Sequence, residues 1–146
     1  MNASYGIRKF AGACLSVTAL ALAGCAGMSP FDHNVNVVLR GSEQNPPVTT
    51  SASGNGTIRI AADKSVSGSV TTAGLAGEAA HIHQGARGQN GPVSVGLVKS
   101  GANGWSVPAG ARLTDAQYAA FKAGQLYVNV HTAANKGGEI RGQLNP

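Results

Sequence analysis

From residue 35 onward the apolar residues fall at every second position in short runs, a period that sets alternate side chains on opposite faces of a β-strand. Val35, Val37 and Leu39 make the first inward set, with Asn36 and Arg40 facing out. Residues 41–50 (GSEQNPPVTT) read as a loop, because consecutive prolines cannot donate to a ladder. Ile58 and Ile60 predict a strand over 57–61 with Arg59 outward; an Asp63-Lys64 turn then returns the chain into 66–72, with Val66 and Val70 inward, as a hairpin. Further strands are expected over 78–83, where Ile82 points into the core, and over 92–99, where Val93, Val95 and Leu97 share one face. Between them lies the glycine-rich loop 84–91 (QGARGQNG), whose Gly85, Gly88 and Gly91 are expected to form turns at positive φ. Residues 105–108 cover one end of the core.

Period two lapses once. Over 114–123 Thr114 is a capping residue, Asp115 suits a first helical turn and Gly124 can end the helix. Two closing strands, 126–132 and 139–144, place Leu126, Val128, Val130, Ile140 and Leu144 inward, and Tyr127, Asn129, His131, Glu139, Arg141 and Gln143 outward. The predicted fold is all-β, an antiparallel Greek-key sandwich or barrel of about seven to eight strands with one short helix.

The chain ahead of this pattern follows a different rule. Arg8 and Lys9 precede an apolar run over 10–23, of signal-peptide length and too short to remain as a membrane span. It ends in Leu22-Ala23-Gly24-Cys25, the lipobox arrangement in which the cysteine thiol is acylated and the chain is cut just before it. Residues 1–24 are therefore expected to be a lipoprotein signal peptide, Cys25 the lipidation site, 25–34 a lipidated tether with a solvated His33, and 35–146 one domain. Each acyl methylene buried in the bilayer contributes about 0.8 kcal/mol, so several chains on one residue anchor firmly. Ala26 rather than Asp after the cysteine points to the outer membrane. The expected address is the bacterial cell envelope, on the periplasmic face of that membrane.

Loss of 1–24 lowers the formal net charge from +5 to +3 and leaves 122 residues, enough for one core. Cys14 leaves with the signal and Cys25 carries lipid, so no disulfide is expected in the domain. No dense Lys/Arg run with interleaved aromatics is present, so no nucleic-acid partner is expected. No Ser-His-Asp or Cys-His order stands in a motif context, and no residue is assigned a catalytic role.

The candidate chemistry lies in the histidines. With Ile82 inward, His81 and His83 share the outer face of their strand, and His131 lies on the outer face of another. Two imidazoles at i and i+2 can share an ion, and a third completes a nitrogen set suited to copper or zinc. The plainer account stands beside it: His81 and His83 brace the glycine loop and His131 braces the turn at Thr132. Glu139 and Arg141 are expected to pair with charged neighbours across strands.

Three blocks carry a family resemblance: LRGSEQNPPV at 39–48, AHIHQGARGQNGPVSVGL at 80–97 and LYVNVHTAANKGGEIRGQL at 126–144. With the helix, they make residues 35–144 resemble the CHRD domain, the chordin-type module common in bacterial exported proteins. Family members often carry a carboxylate where this chain has Gln44. The animal protein behind the family name binds secreted growth factors that a bacterium lacks, so the resemblance supplies no ligand. The histidine blocks are also similar, more weakly, to the copper-ligand blocks of copper/zinc superoxide dismutases. That likeness implies His81, His83 and His131 as copper ligands and Arg141 as a guide for anions. The bridging histidine, the zinc-binding stretch and the disulfide of those enzymes have no counterpart here.

The leading expectation is a non-enzymatic, lipid-anchored binding or structural module, with or without copper or zinc. The alternative is a copper-dependent redox or copper-handling protein. A third reading is a surface module that holds an unidentified protein or glycan through 41–50 and 84–91. The first expected outcome concerns the anchor: metabolic labelling with palmitate marks the protein, and Cys25→Ser abolishes the label.

Overall fold

The alternating apolar positions become nine antiparallel strands and one α-helix in the computed structural model, which describes residues 1–2 and 32–146. The signal-like segment and the lipidation site Cys25 lie outside the described residues. The strands are β1 (His33–Arg40), β2 (Ser53–Ile60), β3 (Val66–Ala73), β4 (Gly77–Gln84), β5 (Val93–Gly96), β6 (Val98–Lys99), β7 (Gly104–Ser106), β8 (Leu126–Thr132) and β9 (Ile140–Leu144); α1 spans Asp115–Lys122. They form one sheet in the order β5-β4-β8-β9-β1-β2-β3-β7-β6. Its two ends, β5 and β6, are consecutive pieces of one run, so the sheet closes on itself as a barrel. The all-β antiparallel expectation and the single helix are borne out.

The strand count exceeds the expected seven or eight because the run 92–99 breaks at Leu97. Its first half pairs with β4 and its second with β7, and one straight strand cannot serve both neighbours. At the corner Leu97 donates its N–H to the Ala80 carbonyl at 2.9 Å and buries its side chain. A bulge adds a second departure. Ile82 faces Val95 but the next residue, His83, faces Val93, so β5 spends two residues against one and alternation slips. Val93, expected inward with Val95 and Leu97, is 51% exposed on the histidine side.

β1 pairs with β2 along its whole length, from His33 opposite Ile60 to Arg40 opposite Ser53. The strand begins with polar residues, before the apolar alternation starts. His33, expected to be solvated tether, is half-buried, its ring edge-on to Phe121 at 5.4 Å. Ahead of it Asp32 pairs with Arg59 and accepts the Ala62 N–H at 3.1 Å. The helix matches its signals. The Thr114 hydroxyl accepts from the Gln117 N–H and the Gln117 side chain accepts from the Thr114 N–H, a capping box that satisfies two otherwise free donors. Phe121 from α1 is fully buried. No helix among the described residues is long and apolar enough to cross a membrane.

Val35, Val37, Leu39, Ile58, Ile60, Val128, Val130, Ile140 and Leu144 line the interior as expected. The outer face of β8 and β9 differs from expectation. Tyr127, Asn129, Arg141 and Gln143 are buried, because the segments 41–50 and 84–91 fold over them. The barrel thus carries a second, polar layer outside its sheet. Val130→Ala is expected to cost about 2 kcal/mol, as a large-to-small change in a packed core. Tyr127→Ala is expected to cost at least as much, about 3–5 kcal/mol, the usual range for deleting a buried aromatic ring. Urea unfolding of the two variants measures both.

Candidate metal centre

Register brings the histidines together. β4 lies beside β8 with His81 opposite Asn129 and Ala79 opposite His131, so His131 is diagonal to His81 across the pair. Ala79 leaves the space above it open. The three rings lie 4.9–5.7 Å apart by centroid, and one nitrogen from each falls within 4.8 Å of the other two. Two nitrogens bound to one tetrahedral zinc ion at about 2.0–2.1 Å lie about 3.4 Å apart, so a shared ion draws the outermost pair in by roughly 1–1.5 Å.

Backbone carbonyls set the tautomers. His83 Nδ1 lies 2.9 Å from the Gly91 carbonyl and His131 Nδ1 lies 2.9 Å from the Lys136 carbonyl. A carbonyl only accepts, so each Nδ1 carries the proton and each Nε2 keeps its lone pair, as metal-bound imidazoles require. His83 Nε2 is buried and, among the described residues, has no hydrogen-bond partner. His81 Nδ1 lies 3.0 Å from His131 Nε2, where a proton or an ion can bridge them. The site opens into a pocket of about 350 Å³, lined also by Glu78, Val93, Thr132 and Lys136. Burial pushes the pKa of both His81 and His83 below the usual histidine value, with the neighbouring imidazoles acting in the same direction. At His83 the Gly91 bond opposes the shift and Arg141 adds to it. Three imidazole nitrogens with, among the described residues, no ligating carboxylate suit copper or zinc rather than calcium or magnesium.

Residues 35–144 match the family model of the CHRD domain. The chain belongs to the CHRD family. No curated protein and no solved structure matches it.

In this CHRD domain Arg141 does not face an approaching anion. Its side chain is 1% exposed, donating to the carbonyls of Gln89 and Ala86 at 2.9 Å each and lying 3.5 Å over the Tyr127 ring. The expected anion-guiding position at the surface is therefore corrected: loop 84–91 caps the guanidinium. Among the described residues, Glu139 and Arg141 do not pair with charged neighbours either. Glu139 accepts from Thr50 at 2.8 Å and Thr132 at 2.7 Å, and these bonds hold its carboxyl below the usual range. Gln44, at the position of the family departure, donates to Asn129 Oδ1 at 2.7 Å, a bond within reach of its neutral amide. Of the loop glycines only Gly88 has positive φ, at 75°. Gly91 is required for space instead: a Cβ there would lie 1.7 Å from the Gln84 carbonyl oxygen. The bracing contacts of the plainer account are present at His83, on the glycine loop, and at His131, on the turn after Thr132, whereas His81 meets His131 instead of the loop. Which carbonyls accept was not legible, because a backbone acceptor leaves no residue signature.

The lowered histidine pKa values fix a sign for the metal-free protein. Between the folded values and the ordinary 6.5 the unfolded chain binds more protons, so stability falls as pH drops below about 6.5 and is level above it. The Glu139 carboxylate stays ionised through this window. Urea midpoints measured with chelator present are expected to be lower at pH 5.5 than at pH 7.5, with a smaller difference in His83→Gln.

Proposed function

We propose that this CHRD protein is a non-enzymatic, lipid-anchored module of the bacterial cell envelope that binds copper or zinc through His81, His83 and His131. One observation carries the metal reading. A buried imidazole nitrogen, His83 Nε2, has a lone pair and, among the described residues, no partner, and two further imidazoles face it. An unsatisfied buried acceptor costs about 1–3 kcal/mol, and a shared ion removes that cost. The anchoring half of the proposal rests on the lipobox ending at Cys25.

The register supports a functional orientation. β1 enters the barrel at His33, on the side of the proposed tether, and ends at Arg40. Arg40 faces Arg141; one step further along β9 Ile140 pairs with Val130, and His131 follows. By register the histidines therefore lie toward the Arg40 end of β1, away from the point of entry at His33. A domain held by its N-terminus presents such a site away from the membrane, toward soluble metal sources of the periplasm.

The test is a titration of the purified protein with Cu²⁺ and Zn²⁺, read by calorimetry and by melting temperature. Binding to the folded state is expected to raise the melting temperature as metal is added. Alanine at His81, His83 or His131 is expected to weaken binding tenfold or more, and acidification below about pH 6.5, the ordinary histidine value, to release the metal once protons reach the lowered pKa values of His81 and His83. Binding that all three substitutions leave unchanged would defeat the proposal.

A further inference from the structure

We infer that Tyr127 and Arg141 are positioning residues for His83, acting through the 84–91 loop. Neither belongs to the histidine triad. The inference rests on the metal-binding reading only for its effect on affinity.

The contacts form a closed circuit. His83 stacks on Tyr127 with ring centroids 5.1 Å apart and planes 9° from parallel. The Tyr127 hydroxyl accepts the Gly91 N–H at 3.2 Å, and the Gly91 carbonyl accepts from His83 Nδ1 at 2.9 Å. One tyrosine thus fixes the plane of the imidazole with its face and the imidazole's hydrogen-bond partner with its hydroxyl. From the β9 flank, the Arg141 guanidinium packs on the same ring and ties down the loop's middle through Ala86 and Gln89. Gln143 adds a bond to the Gly85 carbonyl at 3.0 Å. The end of the loop lies close against β4, where a Cβ at Gly91 would stand 1.7 Å from the Gln84 carbonyl oxygen.

Arg141 gives a second, energetic argument. Its guanidinium is buried and, among the described residues, has no salt bridge. A buried charge without a carboxylate is expensive, and an apolar side chain of similar length would fill the space without that cost. A planar fork can do what such a side chain cannot: hold two carbonyls of one loop at once. The loop it holds ends in the carbonyl that orients His83. Fixing the second partner of a ligating histidine is worth 10–100-fold in metal affinity in known sites.

The discriminating variant is Tyr127→Phe, which keeps the stacked ring and the buried volume and removes only the hydroxyl. Its fold is expected to be intact by circular dichroism. In the metal-free protein, ¹⁵N NMR is expected to show His83 in the Nδ1–H tautomer in the wild type and in mixed tautomers in the variant. Copper affinity is expected to fall 10–100-fold, with pulsed EPR showing fewer coordinating imidazoles. Arg141→Met should act in the same direction, and Arg141→Lys should fail to restore affinity, because one ammonium cannot reproduce the fork. An unchanged His83 tautomer in Tyr127→Phe, or unchanged copper affinity and spectrum, would overturn the inference. If the wild type binds no metal, the proposed function fails, and the tautomer measurement still decides the positioning: mixed tautomers in Tyr127→Phe support it and an unchanged tautomer rejects it.

Discussion

Arg141 is 1% exposed and, among the described residues, its charge has no carboxylate to pair with, and the surroundings are arranged to compensate. A guanidinium has five N–H donors that need acceptors. Here they come from the carbonyls of Ala86 and Gln89 and the side-chain oxygens of Asn90 and Gln143, with the Tyr127 ring beneath. This demand keeps the loop over the sheet. Once docked, the loop buries Tyr127, positions Gly91 and encloses one side of His83. The other covering segment is bonded to it in turn: Asn45 donates to the Gly88 carbonyl, Asn90 donates to the Asn45 carbonyl, and Arg87 pairs with Glu43. Undocking either segment would break these bonds, each worth about 0.5–1.5 kcal/mol net, and open the other segment to water.

The result is two cores on one sheet. Inside, the aliphatic residues need only volume and exclusion of water. Outside, the carboxamides, the guanidinium and the imidazoles need specific partners at specific distances, and that specificity makes a site. Asn129 shows the dependence: it accepts from Gln44 of one covering segment and donates to the Gly137 carbonyl at 3.1 Å beside the His131 turn. That turn is further fixed by Glu139, which gathers hydroxyl bonds from Thr50 and Thr132. Both carbonyls that orient the histidines therefore belong to loops that the polar layer immobilises.

The inner core was legible because period two distinguishes Val128 and Val130 from Tyr127 and Asn129 without further information. The outer layer was not. A polar residue facing away from a core has the same pattern whether water or a loop's carbonyls lie beyond it. The aromatic ring of Tyr127 and the crowding of donors at Asn129, Arg141 and Gln143 opposite a glycine-rich loop were the available hints. His81 and His83 were legible as neighbours from their spacing alone. The approach of His131 depended on the β4–β8 register, which no local pattern encodes, and the exposure of Val93 depended on a bulge. His33 was misplaced because polar residues open its strand, and hydrophobic periodicity cannot detect a strand's polar end.

The corner at Leu97 has a consequence beyond strand count. A closed barrel has no free edge, and edges are where strands from other chains add on. In this barrel both seams hang on seven consecutive residues, 93–99, so they share one fate. If that run peeled away, the ladders of β4 and β7 would be bared together, one on each lip of the gap, with the aliphatic interior behind them. Under the proposed lipid anchor many copies would share one membrane surface, where such lips would meet their equals repeatedly. The short run that completes the barrel thus also guards it against self-association, and its integrity bears on the solubility of the domain as much as on its stability.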